Sequence, residues 1–160
     1  MGIRVTGGML RGRIIDSPSG LSVRPTGART REAVFNILQD VSGFSVLDLF
    51  AGSGIMGIEA ISRGASSVVA VENNRKQAIS LRNNYRKLQI ENNLTLWERD
   101  VLSLEFSHEK KTFDLIYADP PFTETYPDLR KFLDFLSPDG VAIFECPSRA
   151  IPEWALEGKV

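Results

Sequence analysis

The sequence predicts a doubly wound, mostly parallel α/β fold, and three observations lead to this prediction. From residue 45 onward, apolar strand-like segments alternate with segments of helical periodicity. A G-x-G-x-x-G turn follows the first of these strands, at Gly52, Gly54 and Gly57. Acidic residues follow successive strands, and the carboxyl ends of parallel strands meet at one edge of a sheet.

The elements of this alternation can be assigned along the chain in order. Apolar segments bounded by turn residues predict five strands, and stripes at i, i+3 and i+4 predict the helices between them. Strands linked by helical crossovers form a parallel sheet. The predicted strands are 45–49, 67–71, 94–98, 113–118 and 140–145, and the predicted helices are 55–63, 74–88 and 127–136.

The first 43 residues are predicted to form a basic extension that packs on a body spanning 44–160. Segments 2–6 and 11–15 alternate around a glycine pair, as the strands of a β-hairpin do. Thr26 is predicted to cap a helix over 27–40, with an apolar stripe of Ala33, Val34, Ile37, Leu38 and Val41.

Charge is distributed unevenly between these two parts. Residues 1–31 hold six arginines against one acid, whereas the remainder holds 13 basic and 19 acidic residues. Arginine binds phosphate bidentately and stacks on bases, so a basic arm on an acidic body predicts nucleic-acid binding.

Composition excludes several classes of protein. The 160 residues are 42% hydrophobic and 24% charged, as is typical of one soluble domain. No apolar run approaches the roughly 20 residues of a membrane span, and the N-terminus lacks a signal-peptide core. A single cysteine (Cys146) rules out an internal disulfide, and with a single histidine (His108) it argues against a metal site. We therefore expect a cytoplasmic protein with no metal and no membrane contact.

The glycine turn allows two interpretations. Its spacing, with Glu72 twenty residues after Gly52, matches the dinucleotide-binding fingerprint. Asp48 argues against that interpretation, because a carboxylate at the end of the strand would repel the pyrophosphate of NAD. The same carboxylate suits S-adenosylmethionine, which carries an ammonium and a sulfonium. The charge argument favours S-adenosylmethionine, although spacing alone does not exclude NAD.

Four acids close successive strands of the predicted sheet. One such acid is usually a turn or cap residue, but four along one edge favour a ligand with several hydrogen-bond donors. Glu72 is predicted to accept from ribose hydroxyls and Asp100 from the adenine amine, with Asp48 near the methionine portion. The predicted cofactor-binding set is Asp48, Phe50, Gly52, Gly54, Glu72, Asp100 and Val101.

The segment Asp119-Pro120-Pro121-Phe122 is the sharpest local signal. Its prolines fix φ and remove donors, so backbone carbonyls can face a site. The Asp119 carboxylate and the Pro120 carbonyl can each accept one hydrogen of an exocyclic amine, and Phe122 offers a face on which a flipped base can stack. The predicted catalytic set is Asp119, Pro120 and Phe122; the alternative is a rigid turn with a buried aromatic.

Together these motifs resemble a known family. Asp48-x-Phe50-x-Gly52-x-Gly54 with the Asp-Pro-Pro-Phe segment resembles Rossmann-type methyltransferases that act on exocyclic amines. The resemblance narrows to the 16S ribosomal RNA guanine-N2 methyltransferases, the RsmD family, and covers essentially the whole chain. The narrowing segments are Arg24-Pro25-Thr26, Arg31-Glu32-Ala33, Phe35-Asn36-Ile37-Leu38 and 47–65.

The resemblance implies methyl transfer from S-adenosylmethionine, leaving S-adenosylhomocysteine, to N2 of one guanine in 16S rRNA. The substrate is then the assembled or assembling small subunit, and we expect a monomeric enzyme. Asp119 is expected to hold the guanine amine and Phe122 to stack on the base. The arm is expected to grip RNA through Arg4, Arg11, Arg13, Arg24, Arg29 and Arg31.

The chain departs from the family pattern at two places. Gly27-Ala28 stands where the family usually has a threonine–acid pair. The family also continues past the last strand into a C-terminal hairpin. Because the sequence ends at Val160, that hairpin is expected to be truncated or the sheet edge to be covered differently.

Four other functions stay open at this stage. Related enzymes with a similar loop methylate adenine N6 in DNA or a glutamine amide in protein; the arginine arm disfavours protein, and the Arg-Pro-Thr segment favours rRNA. An NAD-dependent oxidoreductase needs a substrate domain, for which 160 residues leave little room. An inactive RNA-binding scaffold is disfavoured by the intact Glu72, Asp119 and Phe122.

Overall fold

The computed structural model describes residues 2–18, 24–105, 111–121 and 125–156. The first two strands pair antiparallel, and the other five form one sheet in which all neighbours run parallel. The parallel α/β sheet predicted from the sequence is confirmed. In chain order the strands are β1 (Gly2–Arg4), β2 (Ile14–Asp16), β3 (Ser45–Leu49), β4 (Ser67–Val71), β5 (Leu94–Trp97), β6 (Phe113–Ala118) and β7 (Leu136–Phe144).

The strand order β5-β4-β3-β6-β7 places a topological switch point between β3 and β6. From β3 the chain builds outward through β4 to β5, then crosses to the other side of β3 to form β6. Asp48 of β3 stands in register with Tyr117 of β6, and Leu49 with Ala118. In open parallel sheets, ligands bind where the strand order reverses, at the carboxyl ends of the strands. The topology therefore predicts a ligand-binding site at the carboxyl ends of β3 and β6.

Helices α1 (Ala28–Leu38), α2 (Ile55–Ser62), α3 (Arg75–Lys87) and α4 (Glu153–Leu156) accompany these strands. The first residues of α3 are stabilised by Asn74, whose side chain accepts from the Gln77 N–H at 3.1 Å. The helix predicted over 74–88 is confirmed as α3, and the apolar residues that recur at helical spacing in this range are all buried: Ala78, Leu81, Tyr85 and Leu88.

The sheet buries both faces, which explains why its strands are apolar throughout. Val46, Val68 and Leu115 face the core that contains α2 and α3. Leu47, Val69 and Ile116 face the opposite core, under the segments 101–104 and 129–136. The two sets alternate along each strand with the period of two that a pleated strand imposes.

Gly57 permits a close approach of α2 to its neighbours. A Cβ at this position would lie 2.3 Å from the Tyr85 hydroxyl and 2.8 Å from Cγ1 of Val68. The third glycine of the fingerprint therefore serves helix packing, as it does in dinucleotide-binding folds.

The N-terminal hairpin packs on the body. Ile3, Val5, Leu10 and Ile15 belong to the same core as α2 and the sheet. Its strands are shorter than predicted, but backbone hydrogen bonds between Val5 and Arg13 and between Gly12 and Val5 continue the pairing beyond them.

The predicted stripe of α1 is confirmed only in part: Val34 and Val41 are buried and Leu38 packs against the core, but Ile37 is 73% exposed. The buried residues of the helix itself are Arg31, Val34 and Phe35. Thr26 does not cap the helix, because Gly27 occupies the N-cap without a side-chain bond and the Thr26 hydroxyl points elsewhere. The helix is rotated so that Arg31 reaches into the body.

The predicted helix 127–136 is also wrong. The chain forms a 3₁₀ helix at Arg130–Phe135 and enters β7 at once, four residues earlier than expected, with a register shift against β6. Trp154 of α4 packs against Tyr126 and Phe144. Within the described segments, no helix combines the length and the apolar character that crossing a membrane requires.

Candidate active site

The turn after β3 forms where the glycine spacing predicts it. Gly52 and Gly54 have positive φ angles of 58° and 82°, which L-residues rarely adopt. Phe50 has a φ of 61° as well, although it carries a side chain. Non-glycine residues in this region are uncommon and cluster at functional sites.

Glu72 holds this turn in position. Its Oε2 accepts from the Gly52 N–H at 2.8 Å, and its Oε1 accepts from the Asn74 N–H at 2.8 Å. The carboxylate therefore links the glycine turn to the start of α3. Each oxygen retains a further lone pair, so these bonds are compatible with the predicted ribose contact, which stays a prediction.

The structure gives Asp100 and Val101 local roles. The Asp100 side chain is exposed and accepts from the Leu102 N–H at 3.0 Å, which caps a 3₁₀ helix at Val101–Ser103. Val101 is buried in the core under β4. The sequence analysis favoured ligand binding over capping for the four acids at the strand ends. In the structure, Asp100 does cap a helix. Its contact with adenine stays a prediction.

Asp48 is a buried acid with an unpaired oxygen. It is 1% exposed, and its Oδ2 has no hydrogen-bond partner. Burial raises the pKa of Asp48 to about 8; the Gly57 N–H opposes this rise, whereas the negative charges of Glu72 and Asp119 add to it. An acceptor in this position is satisfied by a cationic donor, since such a ligand stabilises the charged form of the acid.

Asp119, at the carboxyl end of β6, is half-buried and linked to the arm. Its Oδ2 accepts from the Thr26 hydroxyl at 3.2 Å. Burial raises the pKa of Asp119, and the bond from Thr26 opposes that rise. The neighbouring Tyr117 hydroxyl donates to Glu145 Oε1. The carboxylate thus lies in a polar cluster assembled from three separate segments.

Asp48 and Asp119 line one pocket at the switch point. The Arg-Pro-Thr segment of the arm and the glycine turn both contribute to its lining. The residues that line it are Ser17, Arg24, Pro25, Thr26, Asp48, Phe50, Ala51, Gly52, Ser53, Ile55, Met56, Gln77, Tyr117 and Asp119.

Not every predicted site residue can be assigned to this pocket. Phe122 lies outside the described residues. Pro120 is half-buried and Pro121 exposed at the end of β6. The sequence analysis missed Thr26, Tyr117 and Glu145 as site residues. Thr26 belongs to the Arg-Pro-Thr segment and could have been found from it, but the sequence analysis predicted that Thr26 caps a helix.

The predicted RNA-binding arginines divide into two groups. Arg4, Arg11, Arg13, Arg24 and Arg29 are exposed, as phosphate binding requires. The prediction that Arg31 binds RNA is wrong, because this residue is 3% exposed and its guanidinium pairs with buried Glu59 at 3.2 Å. It also donates to the carbonyls of Thr26 and Arg4, at 2.5 and 2.7 Å. Arg31 therefore ties the arm to α2 and is not available to RNA.

The chain is similar to a described protein family and to named relatives. Residues 3–157 match the model of a family described as Conserved hypothetical protein 95. A relative from Escherichia coli (strain K12), named Ribosomal RNA small subunit methyltransferase D, is 36% identical over 122 residues, covering 75% of this chain and 60% of the relative.

Two solved structures are similar in fold. A hypothetical protein from Thermus thermophilus is 25% identical with a TM-score of 0.75, over 94% of this chain and 90% of that chain. An S-adenosylmethionine-dependent methyltransferase from Thiobacillus denitrificans, solved with S-adenosylhomocysteine, has a TM-score of 0.65 over 79% of this chain and 51% of that chain. At 14% identity, the second likeness shows the fold alone.

The chain spans only part of its curated relatives, namely 68%, 63% and 60% of the length of three of them. What those proteins act on is therefore carried to this chain as a proposal.

Proposed function

This chain belongs to the rRNA methyltransferase family described as Conserved hypothetical protein 95, and on that premise we propose that it methylates the exocyclic N2 amine of a guanine in 16S rRNA. The methyl donor is S-adenosylmethionine and the substrate is the assembled or assembling small subunit. The observation that carries the proposal is that Asp48, with an unpaired buried oxygen, and Asp119 line one pocket. One acid suits a cationic cofactor and the other an amine.

The residues at the end of β3 fit S-adenosylmethionine. The Asp48 carboxylate is the acceptor for its cationic methionine portion, and the glycine turn lets the ligand approach the backbone. Glu72 keeps the turn in place through Gly52. When bound, the cofactor supplies a methyl group on a sulfonium, whose S–C bond breaks with the electron pair retained by sulfur.

Asp119 is proposed to orient the guanine amine. The bond from Thr26 occupies one lone pair of Oδ2, so Oδ1 is available to accept an N–H of the substrate. The Pro120 carbonyl is the proposed second acceptor and Phe122 the proposed stacking partner. Two acceptors fix the direction of the nitrogen lone pair, which is the kind of positioning that accelerates a displacement.

The extension 1–43 is proposed to bind RNA, with the body 44–160 carrying the chemistry. Arg24 is exposed and lines the same pocket as Asp119. RNA held by the arm therefore lies beside the proposed substrate-binding residue Asp119.

We expect Arg24→Ser and Arg29→Ser each to weaken binding to small-subunit RNA uniformly across sequences. Each change removes about one phosphate contact, so the slope of log K against log salt becomes shallower by about 1. Filter binding over a salt series measures this slope. Arg149→Ser, which changes an exposed arginine far along the chain, serves as the control and leaves the slope unchanged. If the wild type and all three variants show equal slopes of log K against log salt, the proposal that the arm binds RNA is wrong.

The affinity for S-adenosylmethionine is expected to increase with pH between about 5.5 and 7.5, by up to about tenfold per pH unit. The pKa of Asp48 is about 8, so the acid is protonated in this range and a cationic ligand must displace the proton. The same raised pKa means that the contribution of Asp48 to folding stability is fully present below the unfolded pKa of 3.8 and is lost as pH rises through 8.

Calorimetry in buffers of different ionisation enthalpy measures this linkage as a proton released on binding. Asp48→Asn is the matched control, and it abolishes both the release and the pH dependence. An anionic dinucleotide would show the opposite trend, because it binds best beside a protonated Asp48. The direction of the trend thus also distinguishes the two cofactors that the glycine spacing allows.

The direct test is incubation with labelled S-adenosylmethionine and undermodified small subunits, followed by mapping and mass spectrometry of the labelled nucleoside. The proposal expects one N2-methylguanosine in 16S rRNA. Label in N6-methyladenosine, or label in ribosomal protein, would overturn it.

A further inference from the structure

A buried amide joins the N-terminal arm to the glycine turn that follows β3. Asn84, on α3, is 1% exposed. Its side-chain oxygen accepts from the Asp16 N–H at 2.9 Å. Its side-chain nitrogen donates to the Asp16 carbonyl at 2.8 Å and to the Ser53 carbonyl at 3.1 Å. A single side chain therefore contacts the backbone of the arm and the backbone of the turn.

The chemistry of these partners matches an asparagine side chain. The Asp16 N–H can only donate, whereas the two carbonyls can only accept, so the position requires one acceptor and two donors. The amide of Asn84 supplies this combination and has one orientation that satisfies all three groups. An ionised aspartate would lack the donors, and an apolar residue would lose all three hydrogen bonds.

Both ends of this connection border the pocket that Asp48 and Asp119 line. Ser53 lines the pocket on the side of the turn, and Ser17, which follows Asp16 directly, lines it on the side of the arm. The turn is proposed to bind the methyl donor and the arm to bind RNA. The separation between the two parts therefore bears on how the methyl group meets the substrate amine.

Each part also has an anchor that does not involve Asn84. The turn is held by the bond from the Gly52 N–H to Glu72 at 2.8 Å, and the arm by the bond from the Thr6 N–H to Glu59 at 2.7 Å. Loss of the amide is therefore expected to leave each part folded and able to bind its own ligand. What is lost is the direct constraint between them.

We propose that Asn84 is a positioning residue for methyl transfer, which holds the RNA-binding arm and the cofactor-binding turn at a fixed separation. This inference rests on the proposed function, since it requires RNA on the arm and S-adenosylmethionine at the turn. It goes further because it gives a buried residue that does not line the pocket a role in the reaction rate. Misplacement of reacting groups by about 1 Å can lower a rate by about 100-fold.

The test is single-turnover methylation of undermodified small subunits by the full chain, with both enzyme and S-adenosylmethionine at saturating concentration. We expect Asn84→Ala to lower this rate by about 10–100-fold. The affinity for S-adenosylmethionine, measured by calorimetry, and the affinity for small-subunit RNA, measured by filter binding, are expected to stay close to the wild-type values. Urea unfolding identifies the conditions in which each variant is folded. A side chain that only stabilised the fold would leave the folded variant with the wild-type rate.

A second variant and two controls complete the design. Asn84→Asp fills the same space and keeps the acceptor for the arm but loses the amide donors, so it is expected to react as slowly as Asn84→Ala. Asn83→Ala changes the exposed neighbour on the same helix and is expected to keep the wild-type rate. Lys87→Met removes an exposed ion pair between α3 and Asp16, at 3.3 Å, that does not reach the turn. It is also expected to keep the wild-type rate.

The outcomes separate this inference from the function on which it rests. If the wild type makes no N2-methylguanosine, the proposed function fails. If the wild type does so, and the folded Asn84 variants react at the wild-type rate or are slow only because one ligand binds more weakly, the positioning role is overturned and the function stands. The positioning role is also overturned if neither variant folds, because Asn84 is then required for the fold itself.

Discussion

Replacing Asp119 with alanine is expected to lower the rate of methyl transfer by about 10²–10⁴-fold while leaving the affinity for S-adenosylmethionine nearly unchanged. The side chain is half-buried at the end of β6, and one of its oxygens is free of the bond from Thr26. Alanine removes this acceptor but keeps the backbone that follows the strand. The loss should therefore fall on the chemical step, and single-turnover kinetics with calorimetry of cofactor binding measures both quantities.

A matched control comes from Asp128, an exposed carboxylate that pairs with Arg130 at 2.6 Å. Asp128→Ala removes one exposed negative charge from a residue that does not line the pocket, and it is expected to leave the rate unaltered. If Asp119→Ala methylates at the wild-type rate, the proposed role is wrong. If it loses cofactor binding instead, Asp119 belongs to the cofactor side of the pocket.

The strands and the two long helices of the body could be predicted because their signals are local. An apolar run bounded by turns identifies a buried strand, and residues such as Ala78, Leu81 and Tyr85 identify a helix face by spacing alone. The acids at the ends of β3 and β6 follow from the parallel topology, since every strand delivers its carboxyl end to the same edge. These parts of the fold require no knowledge of distant contacts.

The partners of the site residues could not be predicted, because they are distant in sequence. Thr26 bonds to a residue 93 positions away, and this tertiary contact wins over the capping role that its place before a helix indicates. Tyr117 reads as one more apolar strand residue, and only its pairing with Glu145 across 28 positions reveals a polar function. Asp100 illustrates the opposite case, since the contact that it makes is local: it accepts from the Leu102 N–H, and its contact with adenine stays a prediction.

Arg31 shows why a charge run is an ambiguous signal. In the sequence it is one of six arginines in the first 31 residues. In the structure, Glu59 of α2 is fully buried and accepts from Arg31 at 3.2 Å, from Arg63 at 3.3 Å and from the backbone and side chain of Thr6. Composition cannot reveal which arginine meets a buried acid.

We expect Arg31→Met to destabilise the protein by about 3–5 kcal/mol, because it leaves Glu59 buried without its most enclosed partner. Urea unfolding measures the loss. Arg29→Met is the matched control: it changes an exposed arginine on the same helix, and surface substitutions of this kind are usually within about 0.5 kcal/mol of neutral. Equal losses for the two variants would show that the ion pair with Glu59 does not stabilise the fold.

The same pair of variants separates structure from recognition. Arg31 has no exposed charge to offer RNA, so under conditions where the variant is folded, the salt dependence of RNA binding should match the wild type, whereas Arg29→Met should make it shallower. Arg31→Met should nevertheless slow methyl transfer, since Arg31 holds the Thr26 carbonyl at 2.5 Å and Thr26 in turn contacts Asp119. If stability and rate both fall while the salt slope stays constant, Arg31 connects α2 to Asp119 and does not bind RNA. Helix α2 begins directly after the glycine turn that is proposed to bind the cofactor.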